Sequence, residues 1–180
     1  MIDFADVSDV PTRRNLALLH PALREEAART FIETVKNLQG KNGWRCTYSW
    51  RSCAAQDDLF AKGRERINGI WRVINKRAIV TNAQGGQSYH NYGLALDFCL
   101  IHPDKRASWN TIEDLDGDGI ADWMEIVAAF QGIGWEWGGT WNRLKDRPHL
   151  QKTFGHHWRE LGQMVRNGQV DEDGYVRIMQ

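Results

Sequence analysis

The sequence has few of the features that mark a secreted, membrane-bound or nucleic-acid-binding protein. Lys plus Arg and Asp plus Glu both number 23, so the net charge of zero provides no overall field to attract nucleic acid or an anionic membrane. No apolar run approaches the roughly 18 residues of a membrane span. The first ten residues include three aspartates, whereas a signal peptide needs a basic start and an apolar core. We therefore expect no export signal, no membrane insertion and no nucleic-acid partner.

Cysteine is also scarce. Cys46, Cys53 and Cys99 form no C-x-x-C pair, and three cysteines fit neither a disulfide framework nor a thiolate zinc site. We expect them to be buried free thiols. With 180 residues, of which 42% are apolar, the chain can instead stabilise one domain through an ordinary hydrophobic core.

Acidic residues are concentrated in one short stretch. Residues 91–180 hold 14 acidic and 9 basic side chains, and six of those acids lie between residues 113 and 125. Residues 114–125 fit the twelve-residue EF-hand calcium loop, with Gly119 at the sharp turn. The predicted ligands are Asp114, Asp116, Asp118, the carbonyl of Ile120, Asp122 and Glu125. Because an oxygen-only ligand set favours Ca²⁺ over zinc, we predict a calcium site, with a solvated acidic loop as the alternative.

Hydrophobic periodicity predicts helices and strands without a regular βαβ rhythm, which indicates an α+β protein. The predicted helices cover residues 21–38, 53–62, 122–131 and 155–167. The predicted strands cover residues 44–50 and 93–101. Because the chain is short and has no proline-rich linker, we expect a single domain over residues 1–180.

A second group of possible metal ligands comes from distant segments. If the chain is extended from Gly93, small residues share one face of the strand with Asp97 and leave space beside its carboxylate. The DRPH segment, residues 146–149, supplies another carboxylate and imidazole. His90, Asp97 and His149 would make a three-ligand zinc set with a fourth position open for water. From spacing alone the alternative stays open that His90 is a loop histidine and His149 a surface histidine.

Three motifs in a fixed order resemble those of zinc peptidases that cut the stem peptides of peptidoglycan. They are SYHNYGLALD at residues 88–97, EWGGTW at 136–141 and DRPH at 146–149. LHPALRE at residues 19–25 and RS-x-x-x-Q at 51–56 extend the match to nearly the whole chain. The resemblance is to the VanY-like D-Ala-D-Ala carboxypeptidases and especially to the L-alanyl-D-glutamate endopeptidases of phage endolysins.

This resemblance implies the fold and the metal ligands. The family folds as a small antiparallel sheet flanked by helices, an arrangement shared with Hedgehog signalling domains. The calcium loop would be an insertion at about residues 108–130, as in certain coliphage endolysins, and no separate wall-binding domain is expected. His90, Asp97 and His149 match the family's zinc ligands.

The resemblance also implies catalytic and substrate-binding roles. Asp146 matches the family's general base, which later acts as an acid, and Glu136 is a rival for that role. Arg51 matches an arginine that holds the polarised carbonyl oxygen or a substrate carboxylate. Gln56 and Ser88 would line the cleft. Ala55 departs from the pattern, since many relatives carry Glu before this Gln.

The function expected from these residues is zinc-dependent hydrolysis of peptidoglycan, most specifically of the bond between L-Ala and D-Glu. Calcium would modulate activity by ordering the acidic loop and the helix after it. We expect a monomeric phage endolysin held in the host cytoplasm until holins open the membrane. The alternatives are a D,D- or L,D-carboxypeptidase that trims stem peptides, and a catalytically silent zinc and calcium binding module.

Overall fold

A computed structural model describes residues 4–38, 43–142 and 144–178. The chain divides into two compact units, Met1–Trp50 with Gly93–Thr153, and Arg51–Tyr92 with Phe154–Gln180. The helices are α1 (Val10–Ala17), α2 (Pro21–Asn37), α3 (Cys53–Ala61), α4 (Asp122–Gly132) and α5 (Trp158–Arg166). The strands are β1 (Gly43–Tyr48), β2 (Arg64–Ile67), β3 (Ile70–Val73), β4 (Ala95–Ile101), β5 (Ala107–Ser108), β6 (Glu136–Trp137) and β7 (His149–Gln151).

The first unit contains an antiparallel sheet in the order β1-β4-β7-β6, with β5 also paired to β4. Antiparallel pairing places Ala95 opposite Gln151 and Asp97 opposite His149. The register of β4 against β1 shifts between Cys46 and Tyr48. The central position of β4 therefore fixes which residues of β7 can meet Asp97.

Aromatic side chains fill the core of this unit. The ring of Trp44 lies 4.9 Å from that of Phe31 on α2 and 5.7 Å from that of Phe130 on α4. Trp44 also donates from Nε1 to Thr34 Oγ1 at 2.8 Å, so its one polar side-chain atom is satisfied inside the core. Phe98 on β4 packs on Trp123 of α4 at 4.3 Å. This packing holds α2 and α4 against the sheet.

The second unit contains α3, the β2–β3 hairpin and α5. The hairpin turns through Asn68 and Gly69, whose φ angles of 50° and 80° suit the two-residue turn that such hairpins favour. Trp71 on β3 packs edge-on against Phe60 of α3 at 5.6 Å. Arg64 of β2 also donates to Phe60 O at 2.6 Å, so both strands of the hairpin contact α3.

Each predicted helix is present, and the strand boundaries differ by a few residues. The last helix begins at Trp158 rather than at residue 155, because His157 and Glu160 form a capping box there. The strand predicted from Gly93 begins at Ala95, since Gly93 has a φ of 69°. Helix α1 and the β2–β3 hairpin were not predicted. The described residues contain no helix that is long and apolar enough to cross a membrane.

The expectation that all three cysteines are buried is wrong for one of them. Cys46 and Cys99 are buried, on the paired strands β1 and β4. Cys53 is exposed. It is the first residue of α3, whose buried face carries Gln56 and Phe60 instead.

Candidate metal centre and catalytic residues

A buried histidine and a carboxylate face each other across β4 and β7. His149 Nδ1 lies 3.2 Å from Asp97 Oδ1, and His149 is only 5% exposed. Burial alone would lower the pKa of His149, but the hydrogen bond to Asp97 and the negative charges of Asp97 and Asp146 raise it. The sheet therefore holds an imidazole and a carboxylate at a distance that suits a shared proton or a shared cation.

The other nitrogen of this imidazole is held by a residue that the sequence analysis missed. His149 Nε2 lies 3.0 Å from Gln151 Oε1, and Gln151 Nε2 donates to Glu136 Oε2 at 2.9 Å. Gln151 thereby fixes the orientation of the ring and leaves Nδ1 facing Asp97. Glu136 is thus linked to His149 through Gln151. The period of two along β7, which puts His149 and Gln151 on one face, is the signal that could have found it.

The loop before β7 holds Asp146 in place by backbone contacts. Asp146 N donates to Gly138 O at 3.0 Å, and Trp137 Nε1 donates to Arg147 O at 2.7 Å. A side chain at position 138 would meet the Asp146 carbonyl oxygen at 2.5 Å, so this close approach requires glycine. The ring of Trp141 lies 5.1 Å from that of His149. The EWGGTW motif therefore packs around the DRPH segment.

In the second unit, a hydrogen-bond network joins the other residues that the family motifs singled out. Arg51 Nη1 donates to Gln56 Oε1 at 2.9 Å, and Gln56 Nε2 donates to Ala83 O at 2.9 Å. Arg51 N donates to His90 O at 2.9 Å, and His90 itself is 3% exposed. Gln56 is also buried, so its amide fixes the guanidinium rather than contacting bulk solvent.

Ser88 and Asn91 complete this network around the turn Tyr89–Tyr92. Ser88 Oγ accepts a long hydrogen bond of 3.4 Å from His90 N. Asn91 Nδ2 donates to Arg51 O at 2.9 Å, and Asn91 Oδ1 accepts from Gly86 N at 2.9 Å. Ser88 thus contacts the backbone of the turn that carries His90. Asn91 was not singled out from the sequence, where an asparagine before a tyrosine carries no distinct signal.

The acidic loop adopts the tight turns that its glycines allow. Asp114 accepts from Gly117 N at 2.7 Å through Oδ1 and from Gly119 N at 3.0 Å through Oδ2. Both glycines have positive φ angles, of 82° and 91°. Asp118 Oδ1 accepts from Ile120 N at 2.7 Å. These bonds turn the carboxylates of one short segment toward a common side.

The carboxylates of this loop form two overlapping groups. Each group has oxygen atoms within 4.8 Å of one another: Asp114, Asp116 and Asp122 in one, and Asp116, Asp118 and Glu125 in the other. Burial, together with the charges of four neighbouring aspartates, raises the pKa of Glu125 to about 7. Glu125 Oε2 is buried and has no hydrogen-bond partner among the described residues. A cation would offset the repulsion between the carboxylates and would give the unpaired Glu125 oxygen a partner.

Comparisons with known proteins identify relatives that hydrolyse peptidoglycan. A family model described as D-alanyl-D-alanine carboxypeptidase matches residues 81–152. The chain is 39% identical over 140 residues to the peptidoglycan L-alanyl-D-glutamate endopeptidase CwlK of Bacillus subtilis, covering 74% of this chain and 72% of that protein. It is 36% identical over 86 residues to an L-alanyl-D-glutamate peptidase of a Listeria phage, covering 46% of this chain and 28% of the phage protein.

A solved structure shares the fold. It is the L-Ala D-Glu endopeptidase ChiX of Serratia marcescens, which aligns with a TM-score of 0.53 and 23% sequence identity. The alignment covers 84% of this chain and 96% of ChiX. The predicted α+β fold with an antiparallel sheet is therefore one that a solved structure also adopts.

Proposed function

Because the chain belongs to the D-alanyl-D-alanine carboxypeptidase family, metallopeptidases that act on peptidoglycan, we propose that it cleaves the bond between L-Ala and D-Glu in the stem peptide. The similarity to CwlK extends over most of both chains, which favours the endopeptidase reaction over the trimming of stem ends. The D,D-carboxypeptidase reaction is the second candidate, since the matching family model carries that description.

The observation that carries this proposal is the Asp97–His149 pair. Its 3.2 Å separation, its burial and the support of Gln151 give a rigid imidazole with one nitrogen facing a carboxylate, as a zinc ligand requires. His90 lies in the SYHNYGLALD motif at the position of the family's first ligand, and we propose it as the third ligand of the set. Three protein ligands of this kind leave a position for water, which is the arrangement of catalytic rather than structural zinc.

The residues around this set would then share the reaction. Zn²⁺, when bound, acts as a Lewis acid that polarises the scissile carbonyl and lowers the pKa of the attacking water. Asp146, held by Gly138, would accept the proton of the attacking water and return it to the departing D-Glu nitrogen. Arg51, fixed by Gln56, would stabilise the developing oxyanion or a substrate carboxylate, and Ser88 would line the cleft.

Digestion of purified sacculi tests the reaction. We expect the wall to dissolve and mass spectrometry to show new L-Ala carboxyl termini and new D-Glu amino termini. An intact wall with shortened stems would instead establish the carboxypeptidase reaction. If the protein retains zinc and the wall does not change, the protein is a metal-binding module without catalytic activity.

We further propose that the loop over residues 114–125 binds Ca²⁺ and modulates activity. The proposal is supported by the overlapping carboxylate groups and by the raised pKa of Glu125. Asp122 and Glu125 also lie in the first turn of α4, so a bound ion would connect the loop to that helix. Activity measured with zinc retained and free Ca²⁺ varied from about nanomolar to millimolar should rise with calcium. Activity that does not change with the calcium concentration would show that the loop has a structural role only.

The biological setting is proposed from the similarity to the phage peptidase. We propose a monomeric endolysin that stays in the host cytoplasm until a holin opens the membrane and then lyses the wall. Expression in a host cell with and without a holin tests this. Lysis should need the holin, whereas lysis without one would contradict the proposal.

A further inference from the structure

The loop that carries Asp146 also borders a cavity that neither metal proposal uses. This cavity lies within the first unit and has a volume of about 460 Å³. Its lining consists of Trp109, Trp123, Lys145, Asp146, Arg147 and Pro148. Trp123 is fully buried and Trp109 is 58% exposed, so the cavity has an aromatic wall and an aromatic rim. The catalytic candidate Asp146 therefore borders a space large enough for part of a substrate.

The polar side chains that line the cavity favour a negatively charged ligand. Apart from Asp146, they carry only hydrogen-bond donors: the ammonium of Lys145, the guanidinium of Arg147 and the indole N–H groups. Lys145 and Arg147 form no ion pair with a carboxylate within the described parts of the chain. Trp123 Nε1 likewise has no acceptor there. A ligand group that only accepts hydrogen bonds and carries negative charge fits this set.

Hydrogen bonds hold the backbone between the two cations in place. Asp146 N donates to Gly138 O, and Arg147 O accepts from Trp137 Nε1. Both contacts hold the three consecutive residues 145–147 against the EWGGTW segment. The cations therefore flank Asp146 on a supported loop rather than on a free one.

The proposed reaction brings a carboxylate of the substrate close to Asp146, the proposed general acid. D-Glu has two carboxyl groups, and in a γ-linked stem peptide the free one is bonded to the carbon that carries the scissile nitrogen. Ordinary bond lengths put that carboxyl carbon about 2.5 Å from the nitrogen. Asp146 must reach the same nitrogen to return a proton and is a carboxylate again once it has done so, so two negative groups then lie close together and repel. A cation beside both groups would offset this repulsion.

We propose that this cavity is the subsite for the free α-carboxylate of D-Glu, with Lys145 and Arg147 as its partners; the inference rests on the proposed function. Lys145 and Arg147 supply the charge that the carboxylate needs beside Asp146. The subsite would make the enzyme discriminate between stem peptides in which this group is a free acid and those in which it is an amide. Two residues to which the family resemblance assigns no role would then determine the specificity for the wall.

Two synthetic stem peptides that differ only in this group, free acid or amide, test the proposal. The kcat and KM of each peptide would be measured for the zinc-loaded wild type, Lys145→Gln, Arg147→Gln and the double variant. Lys36→Gln, at an exposed lysine on α2, is the matched control. Thermal melting would confirm that each variant is folded.

We expect the wild type to prefer the free acid by at least about tenfold in kcat/KM, the usual effect of a charge-assisted hydrogen bond. The double variant should lose about 10- to 100-fold on the free acid and almost nothing on the amide, which removes the preference. Calorimetric titration with the free-acid product should show the same loss of binding without turnover.

Two results would overturn the inference. Equal kcat/KM for the two peptides in the wild type would show that the carboxylate is not recognised. An equal loss on both peptides in the double variant would show that the cations act in some other way. If the wild type cleaves neither peptide, the proposed function itself fails, and this result is distinct from cleavage without discrimination.

Discussion

The two candidate metal sites are built in opposite ways. The acidic loop takes its ligands from twelve consecutive residues, and its shape comes from local turns at Gly117 and Gly119. Asp97 and His149 are 52 residues apart and meet because β4 pairs with β7. One site therefore depends on a short segment, and the other depends on the register of the whole sheet.

The chemistry of the two sites differs in the same way. His149 is buried beside a single carboxylate, with its ring oriented by Gln151. The loop brings five carboxylates together, and their mutual repulsion helps to raise the pKa of Glu125 to about 7. Nitrogen with oxygen in a buried setting favours zinc, and oxygen alone favours calcium. The proposed zinc and calcium sites share no ligand, so separate substitutions can disrupt each of them.

The largest effect is expected from His149→Ala. This change removes a proposed zinc ligand, so hydrolysis of sacculi should fall below detection, while the acidic loop should still bind calcium. The matched variant Glu125→Ala should lose calcium binding and keep zinc. Turbidity of a sacculus suspension and a calcium titration would measure both. Lysis by zinc-depleted His149→Ala would contradict the account.

Asp146→Asn should separate proton transfer from metal binding. Loss of a general base lowers kcat by about 100- to 10,000-fold, and the zinc content should not change because the substitution leaves all three proposed metal ligands intact. Peptide cleavage and elemental analysis of the same sample provide the measurement. A larger loss in Glu136→Gln than in Asp146→Asn would assign the base to Glu136 instead.

Gln151→Leu should show a smaller effect through the orientation of His149. Residues that orient a metal ligand typically contribute about 10- to 100-fold in metal affinity. Competition with a zinc chelator would measure the loss, and Gln131→Leu on the exposed end of α4 is the control. Unchanged zinc affinity would mean that the Gln151 contact does not position the ring.

The smallest effect is a pH dependence confined to the loop. Glu125 must lose its proton to bind Ca²⁺, so calcium affinity should fall up to about tenfold per pH unit below pH 7. Without calcium the sign reverses for stability: the raised pKa means that protonated Glu125 favours the fold, and this contribution is lost as the pH rises through about 7. Calcium titrations at several pH values check the first effect. A constant affinity would contradict it.

The contrast between the sites also explains what the sequence could predict. The acidic loop is a contiguous pattern, so its candidate ligands could be predicted directly and stay a prediction, and α2 and α4 followed from apolar spacing. The pairing of Asp97 with His149 could not be read from spacing. It came from the family motifs, and the register of β4 against β7 supplies the physical cause.

The residues that sequence reasoning missed depend on tertiary contacts. Gln151 matters because β7 places it on the same face as His149 and within reach of Glu136. Lys145 and Arg147 look like ordinary exposed cations until the cavity beside Asp146 is known. Cys53 was expected inside because free cysteines are usually buried, yet its position at the start of α3 exposes it.

Elemental analysis of active wild-type protein, purified without added metal, tests the central claim most directly. We predict about one zinc per chain, removed together with activity by a chelator and restored with activity by Zn²⁺. Full wall-lytic activity in protein that contains no stoichiometric transition metal would contradict the account.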